Sequence, residues 1–87
     1  MAEETLLVFP CDFPLKVLGH SQPGYAQAVL DVVRRHAPDF DPATADMKPS
    51  RGGKYISVTC VIRASSREQL DALYRELCDH PMVVMVL

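Results

Sequence analysis

Eighty-seven residues make one domain, and a chain this short buries only about 60–65% of the surface its unfolded form exposes. That leaves room for one core and a shallow site, and little room for a deep active-site cleft or a cofactor-binding fold. Hydrophobic residues at 48% and charged residues at 23% are ordinary for a soluble globular protein, and a net charge of −2 argues against strong non-specific binding to nucleic acid or membrane.

The chain opens on an acidic stretch, Met1 to Thr5, and the apolar run Leu6-Leu7-Val8-Phe9 stops at Pro10. A secretory signal needs a basic start and roughly 7–15 apolar residues, and a membrane span needs about 20. Neither pattern is present. Residues 1–12 are expected to form a partly ordered leader, with one domain over residues 13–87. Cys11, Cys60 and Cys78 are odd in number and far apart. They read as reduced thiols of a cytoplasmic protein.

A first strand is expected from Phe13 to about Gly19. Phe13, Leu15, Val17 and Gly19 share its core face, and Lys16, Leu18 and His20 share the other. Ser21 is the expected cap of the next helix, with Pro23 in its first turn. Tyr25, Val29, Val32, Val33 and His36 make that helix's stripe, and Pro38 ends it. A polar edge strand follows over Thr44 to Lys48, bounded by Pro49. Ser50-Arg51-Gly52-Gly53 then turns a hairpin.

The third strand is the clearest element. Ile56, Val58, Cys60, Ile62 and Ala64 alternate with Tyr55, Ser57, Thr59, Val61 and Arg63. Ser65…Glu68 and Ser66…Gln69 both read as capping boxes for a second helix. Its stripe is Leu70, Leu73, Tyr74 and Leu77, and Met82 to Leu87 is a final apolar strand. The order β-α-β-β-α-β points to an α+β, ferredoxin-like sandwich: four antiparallel strands with both helices on one face.

A set of residues then carries a family resemblance. It runs from Phe9-Pro10, Phe13, Lys16-Val17, Gly19, Pro23 and Val32-Val33 through Arg35-His36-Ala37-Pro38, Lys48-Pro49-Ser50 and Gly53. It continues with Tyr55, Ser57-Val58, Ala64, Leu73-Tyr74, Glu76-Leu77 and the terminal Met85-Val86-Leu87. On these residues the chain resembles the YbeD-like family, small bacterial proteins of unknown function. The resemblance implies a ferredoxin-like fold similar to the ACT-type regulatory domains of amino-acid enzymes, and a cytosolic bacterial protein without known catalysis. In some bacteria such proteins are encoded near lipoate-attachment genes. The family supplies no catalytic motif to carry over.

The chemistries available to this fold are mostly absent. Acylphosphatase chemistry needs an arginine in the loop after the first strand and an asparagine to position water. The loop Gly19-His20-Ser21-Gln22-Pro23-Gly24 has no arginine, and the chain has no asparagine. Metal-carrying relatives of the fold use a Cys-x-x-Cys here, and there is none. Cys78-Asp79-His80 are adjacent, which suits a shared metal poorly. His36, on the helical stripe, reads as a half-buried histidine bonded to a carbonyl or meeting the helix dipole. Lys48, Arg51 and Lys54 crowd the glycine hairpin and read as a solvated basic turn rather than an anion nest. RNA-binding domains of this topology stack bases on central-strand aromatics, and the third strand offers only Tyr55.

What remains is a binding module: not an enzyme, with no cofactor, no metal, no nucleic acid and no membrane. The expected partner is another protein or a second copy of the chain, engaged through the open sheet face. Strand alternation assigns to that face Lys16, Leu18, Tyr55, Ser57, Thr59, Val61, Arg63, Val84 and Val86, and all of these but Ser57 are the candidate interaction residues. Leu18, Val61, Val84 and Val86 are expected to form its apolar strip. The alternative is an ACT-like sensor of a small ligand, binding at Gly19, His20, Ser21 and Gln22 and the first helix.

Overall fold

The computed structural model describes residues 8–87; the part of the expected leader at residues 1–7 lies outside the described residues. Strand β1 (Cys11–His20) leads into helix α1 (Tyr25–His36), and a single 3-10 turn (Pro42–Thr44) leads into strand β2 (Asp46–Pro49). Strand β3 (Tyr55–Ala64), helix α2 (Arg67–Asp79) and strand β4 (Val83–Val86) complete the order. The strands form one antiparallel sheet in the order β2-β3-β1-β4. The α+β, ferredoxin-like reading therefore holds.

β1 and β3 are ten residues each, paired along their whole length from Cys11–Ala64 to His20–Tyr55. Leu15, Val17, Val58, Cys60, Ile62 and Ala64 are 3% exposed or less, as their alternation requires. Tyr25, Val29, Val32 and Val33 from α1 and Leu70, Leu73 and Leu77 from α2 close the same core. β1 begins two residues earlier than its pattern suggests and runs through Pro14. The reason is the ladder. Lys16 exchanges N–H and C=O with Leu87, so by alternation the missing N–H of Pro14 faces the same side, beyond the stretch that β4 covers.

Two expectations at element ends need correction, and a third, left open between two serines, is resolved. β2 starts at Asp46, because Thr44 belongs to the 3-10 turn: Asp41 accepts from the Ala43 N–H, and the Thr44 hydroxyl donates to the Asp41 carbonyl. Ser21 does not cap α1. Its N–H donates to the Lys54 carbonyl at 2.9 Å and prolongs the β1–β3 ladder, and Gly24, at φ 83°, takes the N-cap position. Of the two candidate capping boxes α2 uses Ser66, which accepts from the Gln69 N–H at 3.1 Å; the Gln69 side chain reaches back to the Ser65 N–H at 2.7 Å.

The largest correction is in β4. Val17 pairs with Val86 and Leu18 with Met85, but Gly19 pairs with Val83, so the register shifts at Val84. A bulge of this kind adds one residue and reverses the alternation beyond it. Val86 therefore points with Val17 into the core and is 6% exposed. It leaves the expected open face, and Met85 takes its place.

Candidate interaction surface

The helices cover one side of the sheet, and pairing arranges the other side in rows. His20 and Tyr55 form the first, Lys48–Ser57–Leu18–Met85 the second and Asp46–Thr59–Lys16 the third. Val61–Pro14 and Arg63–Asp12 follow. Lys16, Val61, Arg63, Val84 and Met85 are exposed, while Leu18, Tyr55 and Thr59 are half-buried. The structure thus brings together Lys16, Leu18, Tyr55, Thr59, Val61 and Arg63, places Val84 in the bulge at the edge, and removes Val86.

The expected continuous apolar strip breaks in two. Leu18 and Met85 adjoin in one row, Val61 and Pro14 in another, and Lys16 and Thr59 stand between them. Two interactions shape the ends of the face. The rings of His20 and Tyr55 lie 5.0 Å apart, tilted by 34°. Arg63 donates to the Asp12 carboxylate at 3.4 Å. Ser57, between Lys48 and Leu18, is only 7% exposed and donates to the Lys48 carbonyl at 3.3 Å.

The loop Gly19 to Gln22 has structural work at each position. A side chain at Gly19 would run into the Tyr25 ring and lie 2.5 Å from the Met82 carbonyl oxygen. The Tyr25 hydroxyl donates to the buried Val17 carbonyl at 3.0 Å, and burial pushes its pKa up to about 12. His20 stacks on Tyr55, Ser21 extends the ladder, and the Gln22 carbonyl accepts from the Tyr25 N–H.

Two features were not expected from the sequence. The first ties the helices together. The Glu76 carboxylate accepts from His36 Nε2 at 2.6 Å and from Arg35. Those hydrogen bonds, His36 first and Arg35 second, hold the Glu76 carboxyl below its usual range. The Gln69 side-chain amide donates to the His36 carbonyl at 2.8 Å. His36 thus meets a carboxylate rather than a carbonyl through its ring. The signal was available: Glu76 stands between Leu73 and Leu77 at the border of an apolar stripe, where an acid calls for a cation on the facing helix. The second feature is a cavity of about 200 Å³ lined by Phe13, Leu15, Leu70, Tyr74 and Leu87, with Arg67 and Asp71 beside it. It exists because β4, four residues long, covers only part of β1. The Tyr74 hydroxyl donates to the Val86 carbonyl at its margin.

Among the described residues no three His, Cys, Asp or Glu side chains converge as metal ligands. Cys60 is buried, and burial pushes its thiol up to about 11. His80 Nδ1 accepts from the Met82 N–H at 3.1 Å, so it is occupied in the turn into β4. No described helix is long and apolar enough to cross a membrane.

Residues 4–87 match the family described as "Protein of unknown function (DUF493)". A UPF0250 protein of Nitrosomonas europaea is 55% identical over 87 residues, covering all of both chains. One of Bordetella pertussis is 53% identical over 98% of this chain and 93% of its own. The chain belongs to this family of small bacterial proteins of unknown function, as its resemblance implied. Among solved structures, a protein from H. pylori superposes with a TM-score of 0.76 at 13% identity, over 100% of this chain and 93% of that one. The ACT domain from GTP pyrophosphokinase of Chlorobium tepidum gives 0.66 at 17% identity, over 87% and 84%. These likenesses establish the fold as ACT-like.

Proposed function

We propose that this protein is a non-catalytic, cytoplasmic binding module that docks another protein, or a second copy of itself, on the open face of its sheet. The observation that carries the reading is the pair of apolar patches on that face, Leu18 with Met85 and Val61 with Pro14, set among polar and charged residues. Val61 is 54% exposed and Met85 48%, on the face opposite the two described helices. Apolar patches with polar rims are what interaction surfaces use. The sheet face is preferred to the 19–24 loop as the binding site because the Tyr25 ring fills the space against Gly19. The test is the double variant Val61→Lys with Met85→Glu. It is expected to keep the wild-type circular-dichroism spectrum and to lose the self-association or partner binding of the wild type. Unchanged binding by a folded double variant defeats the reading.

A further inference from the structure

The open face is electrically divided. Its far rows are balanced, because Arg63 is paired with Asp12, and Asp46 shares a row with Lys16. Its hairpin end is not. From Met47 to Arg67 the sequence holds five cations and no acid. Three of them, Lys48, Arg51 and Lys54, are exposed on and around the turn between β2 and β3. Among the described residues none of the three has an acid within ion-pair distance. The nearest row carries His20 stacked on Tyr55, and the next carries Leu18 beside Met85. Cations here thus adjoin an aromatic pair and an apolar patch, in a chain whose net charge is −2.

We propose that this end of the face binds an acidic polypeptide segment. Its carboxylates lie on Lys48, Arg51 and Lys54, and one apolar side chain lies on Leu18 and Met85. The proposal rests on the sheet-face reading and names the chemistry of the partner. Charge complementarity selects the occupant: a second copy would bring the same three cations against themselves wherever these ends meet. Nucleic acid fits less well. Binding to a nucleic-acid backbone draws its strength from many phosphate contacts, against three cations here in a chain of net charge −2, and the face offers only the single His20–Tyr55 ring pair for stacking among the described residues.

The experiment is a chemical-shift titration of the full chain with a short Glu-rich peptide carrying one central leucine. Parallel titrations use a thymidine oligonucleotide and inorganic phosphate. The peptide is expected to shift His20, Leu18, Arg51, Lys54 and Tyr55. Added salt is expected to weaken it, because exposed charges are screened within about 8–10 Å. The triple variant Lys48→Glu, Arg51→Glu, Lys54→Glu is expected to stay folded and to bind the peptide at least about thirtyfold more weakly, from roughly 0.7 kcal/mol at each of three exposed ion pairs. Absence of binding, equal binding by wild type and triple variant, or tighter binding of oligonucleotide or phosphate each overturns the proposal. The two readings separate cleanly. If Val61→Lys with Met85→Glu abolishes partner binding while the triple variant retains it, the face is the docking surface and its partner is not acidic. If neither variant affects binding, both readings fail.

Discussion

The two faces of the sheet are built from the same two long strands, and they obey different rules. On the helix side, Val17, Val58, Cys60 and Ile62 are at most 1% exposed, and among the described residues no charged one joins the core. On the other side, the intervening residues of the same strands mix charged, polar and apolar side chains from row to row. Lys16, Asp46 and Arg63 are exposed there, as is Val61. The helix side tolerates one arrangement because close packing and lost solvation penalise any departure from it. The open side is constrained by little besides strand propensity, so its composition is free to vary. Substitutions of adjacent residues measure that difference directly.

The largest effect is expected from Val58→Asp, set against Thr59→Asp. Val58 is fully buried, and a carboxylate there costs several kcal/mol without a partner. The whole stability of a domain this size is about 5–10 kcal/mol. Val58→Asp is therefore expected to unfold the chain, seen as loss of the cooperative urea transition. Thr59→Asp, on the half-buried opposite side, is expected to retain that transition. Equal unfolding by both would break the comparison between the faces.

Next is Gly19→Ala, which tests how tightly the helix layer sits on the sheet. The added methyl meets the Tyr25 ring and, at 2.5 Å, the backbone oxygen of Met82. Backbone yields less easily than a side chain, so overpacking of about 1–3 kcal/mol is expected as a lower denaturation midpoint. A midpoint unchanged from the wild type would mean that β4 and α1 shift freely over β1.

These two predictions draw on very different amounts of sequence signal. The buried face of β3 was legible because five apolar positions alternate with mostly polar ones, and only the wholly apolar parity suits a core. The segment Met82 to Leu87 is apolar throughout, so either parity looks acceptable. The bulge that sends Val86 inward leaves no mark on its residue types. The placement of Val86 on the open face failed for that reason, and the continuous strip failed with it. Helix ends were legible where a side chain caps them, as Ser66 does for α2. They were not where backbone geometry alone decides, as at Gly24. Of the candidate surface, the β1 and β3 residues were legible. The Glu76–His36 link and the cavity beside Phe13 depend on how elements meet, which local periodicity does not encode.

Tyr25→Phe sharpens the comparison from within the buried side, where a polar atom is tolerated only when bonded. Removing the hydroxyl leaves the buried Val17 carbonyl without that donor, at a cost of about 1–2 kcal/mol. The folded pKa of Tyr25, about 12, stands above its ordinary value of 10.0. The folded state thus holds the proton more tightly than the unfolded one. Its contribution is complete below pH 10 and is lost as pH rises toward 12. Cys60, raised from 9.0 to about 11, adds a decline that begins about one unit lower. Urea midpoints measured from pH 8 upward should fall for the wild type and fall less steeply for Tyr25→Phe. Parallel curves would remove Tyr25 from the account.

The smallest effect is expected where the comparison is most easily misjudged from composition. Val61 is as apolar as Val58, and in sequence only Thr59 and Cys60 separate them. Yet Val61 is 54% exposed, opposite Pro14 and next to Arg63 on the open face. Lysine there gives up a β-branched residue in a strand, worth at most about 1 kcal/mol. Its long stem can lie over Pro14 while the ammonium stays in water. Repulsion from Arg63 is weak at this exposure, because Asp12 already accepts from that guanidinium. Val61→Lys should therefore lower the urea midpoint by an amount corresponding to no more than about 1 kcal/mol. A loss as large as that of Gly19→Ala would show that Val61 is packed in solution. The open face would then be closed, by self-association, before any other partner arrives.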